Sequence, residues 1–124
     1  MRLILDTHIL LWWWDDFARL PNGTAELIAD PEHEVFVSAV SIAEIAVKKS
    51  IGRLEIGEDF AGGLQGDGFA ELALTATHSA RVATLPLLHR DPFDRLLVAQ
   101  AQIEEATLVT VDTMVKQYDV RTLP

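Results

Sequence analysis

The chain has 124 residues, 49% of them hydrophobic and 23% charged, a balance that fits one globular domain and excludes a disordered or low-complexity protein. The absence of cysteine excludes a disulfide framework and any thiolate metal site, and it is compatible with a reducing cytoplasm. A net charge of −9 argues against broad, unassisted adhesion to nucleic acid, although Lys48, Lys49 and Arg53, and again Arg90 and Arg95, form local basic groups.

Residues 2–6 form a short apolar run that predicts a buried strand ending in Asp6. Asp6 also interrupts the first apolar run, so no secretory leader is expected, and no stretch approaches the length of a membrane span. From Thr7, the spacing of Ile9, Leu10, Trp13, Trp14 and Phe17 predicts a helix that stops before Pro21. Three successive indoles at 12–14 point about 100° apart on a helix, so at least one is expected near the surface. An aromatic there suits a contact with a partner or a second copy, with stacking on RNA bases as the other use. Thr24 is expected to cap a short helix carrying Leu27 and Ile28 that stops before Pro31, and residues 35–38 read as a second strand.

Ser41 followed three residues later by Glu44 has the form of a capping box, opening a helix that runs to Gly52. The glycine-rich segment 57–68 predicts no more than one short helix, around Phe60 and Leu64. A strand is expected over 69–74, a helix over 77–85 ending at Pro86, and a stronger helix over 94–104 with Leu97, Val98 and Ala101 on one face. A strand at 107–111, a short helix near Met114 and a last strand at 120–123 complete the chain. Strands alternating with helices imply a parallel sheet covered on both faces.

Four acids stand where a strand stops or a helix begins: Asp6, Glu44, Asp94 and Asp112. Each alone has a structural explanation: Glu44 as partner of the Ser41 cap, Asp94 at a positive helix end, Asp112 as a cap. Together, at the carboxyl ends of parallel strands, they would share the crevice where such sheets bind ligands. Carboxylates converging there suit a hard divalent cation of the kind nucleases use to activate water. Asp91, in an Asp-Pro turn just before the long helix, is either a further site acid or a turn residue. His8, His33, His78 and His89 have no metal-ligand spacing.

Leu5-Asp6-Thr7-His8, Ser41-Ile42-Ala43-Glu44-Ile45, the run His89 to Ala101 (HRDPFDRLLVAQA) and Thr110-Val111-Asp112 resemble the successive motifs of PIN-domain proteins, above all the bacterial VapC-type toxins. The resemblance spans nearly the whole chain, with the motifs in the family's order. It implies a single PIN-like domain over residues 1–124, a three-layer α/β/α fold with a five-stranded parallel sheet. It also implies an endoribonuclease dependent on Mg2+, with Mn2+ able to substitute, acting in the cytoplasm and neutralised by a small antitoxin. A homodimer or a toxin–antitoxin hetero-oligomer is the corresponding assembly.

Asp6, Glu44, Asp94 and Asp112 match the family's acids, with Asp6 and Asp94 the principal metal ligands, Glu44 completing the pocket and Asp112 acting through water or a second ion. Arg90, Arg95 and Lys48 are candidates for phosphate contact, and Thr110 for a hydrogen bond to an acid or water. Two other functions fit parts of the pattern. A receiver or phosphatase-like protein would phosphorylate Asp6, but it needs a later strand-end lysine, and after Lys49 only Lys116 follows. A non-catalytic RNA-binding module would keep the fold without the chemistry.

Overall fold

In the computed structural model, which describes the backbone of residues 1–124 and every side chain except that of Gln65, five strands form one parallel sheet in the order β3-β2-β1-β4-β5. The strands are β1 (Arg2–Leu5), β2 (Glu34–Ser38), β3 (Ala70–Leu72), β4 (Thr107–Val109) and β5 (Thr122–Leu123). The helices are α1 (Thr7–Asp15), α2 (Thr24–Ala29), α3 (Ala39–Ser50), α4 (Gly63–Gly66), α5 (Ala76–Arg81) and α6 (Pro92–Glu104). The expected parallel α/β architecture is therefore present. No helix among the described residues is long and apolar enough to cross a membrane.

β1 is central, pairing Leu3 with both Val35 and Thr107, and Ile4 with both Phe36 and Leu108. Its side chains alternate between two cores. Leu3 and Leu5 pack with Ile9 and Leu10 of α1, Ile28 of α2 and Ile45 of α3, while Ile4 packs with Leu97, Val98 and Ala101 of α6. A strand buried on both faces reads as an unbroken apolar run, which is why residues 3–5 are so legible. The chain moves outward from β1 through β2 to β3, then returns to β4 on the other side and continues to β5. The carboxyl ends of β1 and β4 thus flank the point where the winding direction reverses, the crevice in which open parallel sheets take up ligands.

Several helix starts differ from the sequence expectation. Ser38, not Ser41, caps α3: its side chain accepts the Val40 N–H, and Ser41 lies inside the first turn. No Ser41–Glu44 capping box forms; the Ser41 hydroxyl instead accepts from Thr7 Oγ1 at 3.0 Å, pinning α1 to α3. α2 begins after Gly23, whose φ of 83° puts it in the left-handed region, and Thr24 is the first helical residue instead of the cap. α6 starts at Pro92, two residues earlier than expected, with Asp91 as its cap accepting the Phe93 N–H at 2.9 Å. Proline at the first helical position loses nothing there, because its missing N–H would have had no intrahelical partner.

α1 ends at Asp15, and Phe17–Arg19 form a separate 3-10 turn. α5 ends at Arg81, with Val82–Thr84 as a 3-10 turn. β3, β4 and β5 are each shorter than expected. None of the three indoles is fully exposed. Trp13 packs on Phe17 and Phe69 at ring separations of 5.3 and 5.7 Å, Trp14 Nε1 donates to Asp67, and Arg19 lies over Trp12.

Ser38 carries more than a cap. It is fully buried, and its hydroxyl donates to Gln100 Oε1 on α6, joining the start of α3 to the opposite layer. Ser38→Ala removes both bonds and leaves a buried amide oxygen unpaired. The expected loss is about 2–3 kcal/mol, the sum of a lost cap and an unsatisfied buried group. A fall in the urea midpoint at unchanged m value checks it.

Candidate active site

Asp6 is the residue at which β1 becomes α1. Its backbone N–H still follows the sheet ladder, donating to Val109 O at 2.9 Å, while its Oδ1 caps α1 by accepting the His8 N–H. Its Oδ2 accepts from Thr110 Oγ1, one residue beyond β4. The same hydroxyl oxygen accepts the Asp112 N–H at 3.0 Å. Thr110 therefore links the two strand-end acids and holds both in register, the position that sequence reasoning had assigned to an acid or water contact.

Asp112 is held from its own backbone, its Oδ1 accepting the N–H groups of Met114 and Val115 at 2.8 and 3.3 Å. Glu44 reaches the cluster from α3 with only 2% of its surface exposed. One of its oxygens, Oε2, meets Lys48 Nζ at 2.6 Å, one helical turn on. The other, Oε1, is buried with no hydrogen-bond partner among the described residues. An orphaned carboxylate oxygen in the interior is costly and marks a place where a cation or water belongs.

Asp94 projects from the first turn of α6, its side chain 13% exposed. Burial first, then the negative charges of Asp6, Asp91, Glu44 and Asp112, push its pKa up to about 8. Burial likewise raises Asp6, against the lowering effect of the Thr110 and His8 hydrogen bonds. The predicted acids thus face one another closely enough for each to resist the ionisation of Asp94. Carboxylates forced together without a compensating cation are electrostatically frustrated. The donor set is all oxygen, with a free Glu44 Oε1 and with no hydrogen bond to Asp94 Oδ1 among the described residues. Those features fit a hard divalent ion.

Two basic candidates are occupied within the fold. Lys48 is the partner of Glu44. Arg95 is engaged by the backbone, its guanidinium donating to the carbonyls of Pro86, His89 and Val82 at 3.2, 3.4 and 3.2 Å. It clamps the loop before α6. Arg90 is exposed, and Asp91 acts as the helix cap beside the acids. Lys116, the cation that an aspartyl-phosphate site would need, instead donates to the Pro124 carbonyl.

One residue at this site escaped sequence reasoning. His89 Nε2 lies 3.0 Å from Asp94 Oδ2 and 3.4 Å from Asp112 Oδ2. It arrives from a loop with no periodic relation to either acid, so no spacing rule could select it. The only available signal was its place two residues before Asp91 in the Asp-Pro motif.

The profile of the PIN domain matches residues 3–121 of the chain. No curated protein sequence matches it significantly. Among solved structures it is similar to VapBC2 from Rickettsia felis bound to a DNA fragment from its promoter, with a TM-score of 0.73 at 19% identity over 99% of this chain and 98% of that one. DNA-bound VapBC from Salmonella typhimurium gives 0.69 at 13% identity, covering 99% and 97%. A toxin–antitoxin complex from Klebsiella pneumoniae gives 0.60 at 19% identity, covering 90% and 87%.

Proposed function

The chain belongs to the PIN-domain family, and from that premise we propose that it is a Mg2+- or Mn2+-dependent endoribonuclease, a VapC-like toxin restrained by a small antitoxin. The observation that supports the reading is Asp94, whose ionisation is resisted by burial and by the nearby charges of Asp6, Glu44 and Asp112, together with the Glu44 carboxylate oxygen that has no partner among the described residues. Asp6, Glu44 and Asp94 would hold the ion directly. Asp112, whose Oδ1 is engaged by two backbone N–H groups, would act in its outer sphere. When bound, a divalent ion lowers the pKa of water and neutralises charge on phosphate oxygens.

The chain's own residues supply the rest. Thr110 keeps Asp6 and Asp112 oriented, so that neither must reorganise when a substrate arrives. Lys48 offsets the charge of Glu44, and Arg90, exposed and next in sequence to Asp91, is available to a flanking phosphate. Attack by water in place of the ribose hydroxyl leaves a 5′-phosphate and a 3′-hydroxyl. An antitoxin partner is supported by the assemblies among which the structural neighbours are found, which include a toxin–antitoxin complex.

The test is incubation of the purified chain with total RNA in Mg2+, in Mn2+ and in chelator, alongside Asp6→Asn. Cleavage that needs metal, leaves 5′-phosphates and disappears in the variant is the expected result. A folded, metal-loaded, antitoxin-free protein that cuts none of several RNA pools would overturn it in favour of a binding module.

A further inference from the structure

Three polar side chains form a chain through the interior: Ser38 and Gln100, with no exposed surface, and His78, at 2%. The Ser38 hydroxyl donates to Gln100 Oε1. Gln100 Nε2 donates to the carbonyl of Ala73, just past β3, at 3.3 Å and lies 3.5 Å from His78 Nδ1. Those two contacts set the direction of the amide, with its nitrogen toward Ala73 and His78 and its oxygen toward Ser38. His78 is itself fixed, its Nδ1 accepting the Thr75 N–H at 3.1 Å and its Nε2 lying 2.8 Å from Glu104 Oε2.

Stability alone does not call for such a chain, because replacing both partners of a buried hydrogen bond by apolar groups of the same shape is often nearly neutral. A satisfied polar network contributes a single geometry instead. Apolar packing between helices is compatible with crossing angles that spread over about 15–20°. The bond from Ser38 to Gln100 joins α3 to α6 in one arrangement, and each helix carries one of the candidate acids. Glu44 lies six residues beyond Ser38, and Asp94 six residues before Gln100. At 1.5 Å per residue each acid stands about 9 Å from the bond along its own helix. A rotation of about 6° between the two helices would move one acid against the other by about 1 Å over an arm of that length. A misplacement of this size can cost about 100-fold in a reaction that depends on alignment. The opposite end of the frame is tied in the same way, Thr7 beside Asp6 donating to Ser41 of α3.

We propose that Gln100 is a positioning residue, which with Ser38 forms a strut that sets the separation of Glu44 and Asp94 and thereby the affinity of the crevice for a divalent ion; this rests on the metal-site reading above. Gln100 touches neither acid. It acts through the start of α3, where Ser38 also caps the helix by accepting the Val40 N–H. Ala73 and His78 serve the strut by keeping the amide from turning over.

The test is Mn2+ binding to the purified chain without RNA, followed by electron paramagnetic resonance, with a thermal midpoint measured for each protein. The proteins are wild type, Gln100→Met, Ser38→Ala, the double variant and Ile28→Ala. Gln100→Met keeps the volume and removes the amide. Ile28→Ala opens a cavity at α2, an element that carries none of the candidate acids, and separates loss of stability from loss of geometry. Gln100→Met is expected to bind Mn2+ about 10-fold more weakly, the low end of the range for groups that orient ligands. Ser38→Ala, which also loses the cap, should lose at least as much, and adding Gln100→Met to it should cost little more, because one bond accounts for both. Ile28→Ala should have a lower midpoint and bind Mn2+ as wild type does. Wild-type affinity in Gln100→Met would overturn the role of Gln100, as would a loss that persists undiminished in the Ser38→Ala background. An equal loss in Ile28→Ala would also overturn it, by reducing the effect to general loosening. If Gln100→Met does not fold, Ser38→Ala against Ile28→Ala decides by the same criteria. A folded wild type that binds no Mn2+ would overturn the metal-site reading itself, an outcome separate from a failure of the strut.

Discussion

Asp94→Asn is expected to make the metal-free protein more stable while removing the RNA cleavage proposed for it. The carboxyl of Asp94 is pushed up to about 8 by burial and by four neighbouring acids, whereas in the unfolded chain it titrates near about 3.9. The folded state therefore holds its proton longer than the unfolded state does. Stability is fully present below about pH 4 and declines as the pH rises toward about 8, because the unfolded chain releases the proton first. Asparagine keeps the size and an acceptor for His89 and has nothing to ionise.

At pH 7.5 the variant should gain about 2 kcal/mol, a figure already reduced for solvent screening of a partly exposed group. That corresponds to a rise of about 8 °C in Tm for a domain of this size. The wild type should lose stability between pH 5 and 8 in chelator, and the variant should lose much less. Activity should fall by about 10²–10³-fold, the scale seen when one preorganised charge-stabilising group is removed. Scanning calorimetry across pH together with cleavage rates checks both halves. A variant that is inactive and also less stable at pH 7.5 would refute the frustrated-cluster account.

Lys48→Ala should do the opposite. Among the described residues, it strips the only partner from a carboxylate that is 2% exposed and whose second oxygen has none. Removing one member of a buried pair costs about 3–5 kcal/mol in general. Lys48 is itself 37% exposed, so about 2–3 kcal/mol is the expected loss here, after allowance for solvent screening. A divalent ion bound beside Glu44 replaces the missing positive charge, so saturating Mn2+ should recover much of it. The double variant Glu44→Gln/Lys48→Ala should lose less than Lys48→Ala alone and gain little from Mn2+. Urea denaturation of the three proteins with and without Mn2+ measures this directly. An equal loss in both conditions would separate Lys48 from the ion.

Both predictions turn on acids that were visible in the sequence, and the reason is physical. Asp6 and Asp112 follow runs whose side chains must be buried on both sheet faces, so the strands are unmistakable and their ends nearly so. Asp94 sits in the first turn of α6 and Glu44 in the second turn of α3, helices whose apolar faces are equally clear. What escaped was decided by tertiary reach. Ser38 and Ser41 are both capable caps, and the choice fell to the residue where the backbone leaves the sheet and where Gln100 waits across the layers. Arg95 resembled a phosphate ligand until the folded loop brought carbonyls to it. His89 reaches the acids only because Tyr118, far along the chain, fixes its loop. Pattern along the chain reveals positions on an element, and it is silent about irregular segments that are shaped by what they touch.

The strand order also sets when in the life of the molecule the crevice can exist. β1 is the first strand made, yet one of its two sheet partners is β4, which spans Thr107–Val109 and pairs Leu5 with Val109. Thr110, which orients Asp6, comes later still. During synthesis Asp6 therefore emerges more than a hundred residues before the hydroxyl that orients it, and closing so long a loop is the slow part of folding. A nascent chain carries Asp6 without its geometry until β4 and Thr110 are free to pair with it.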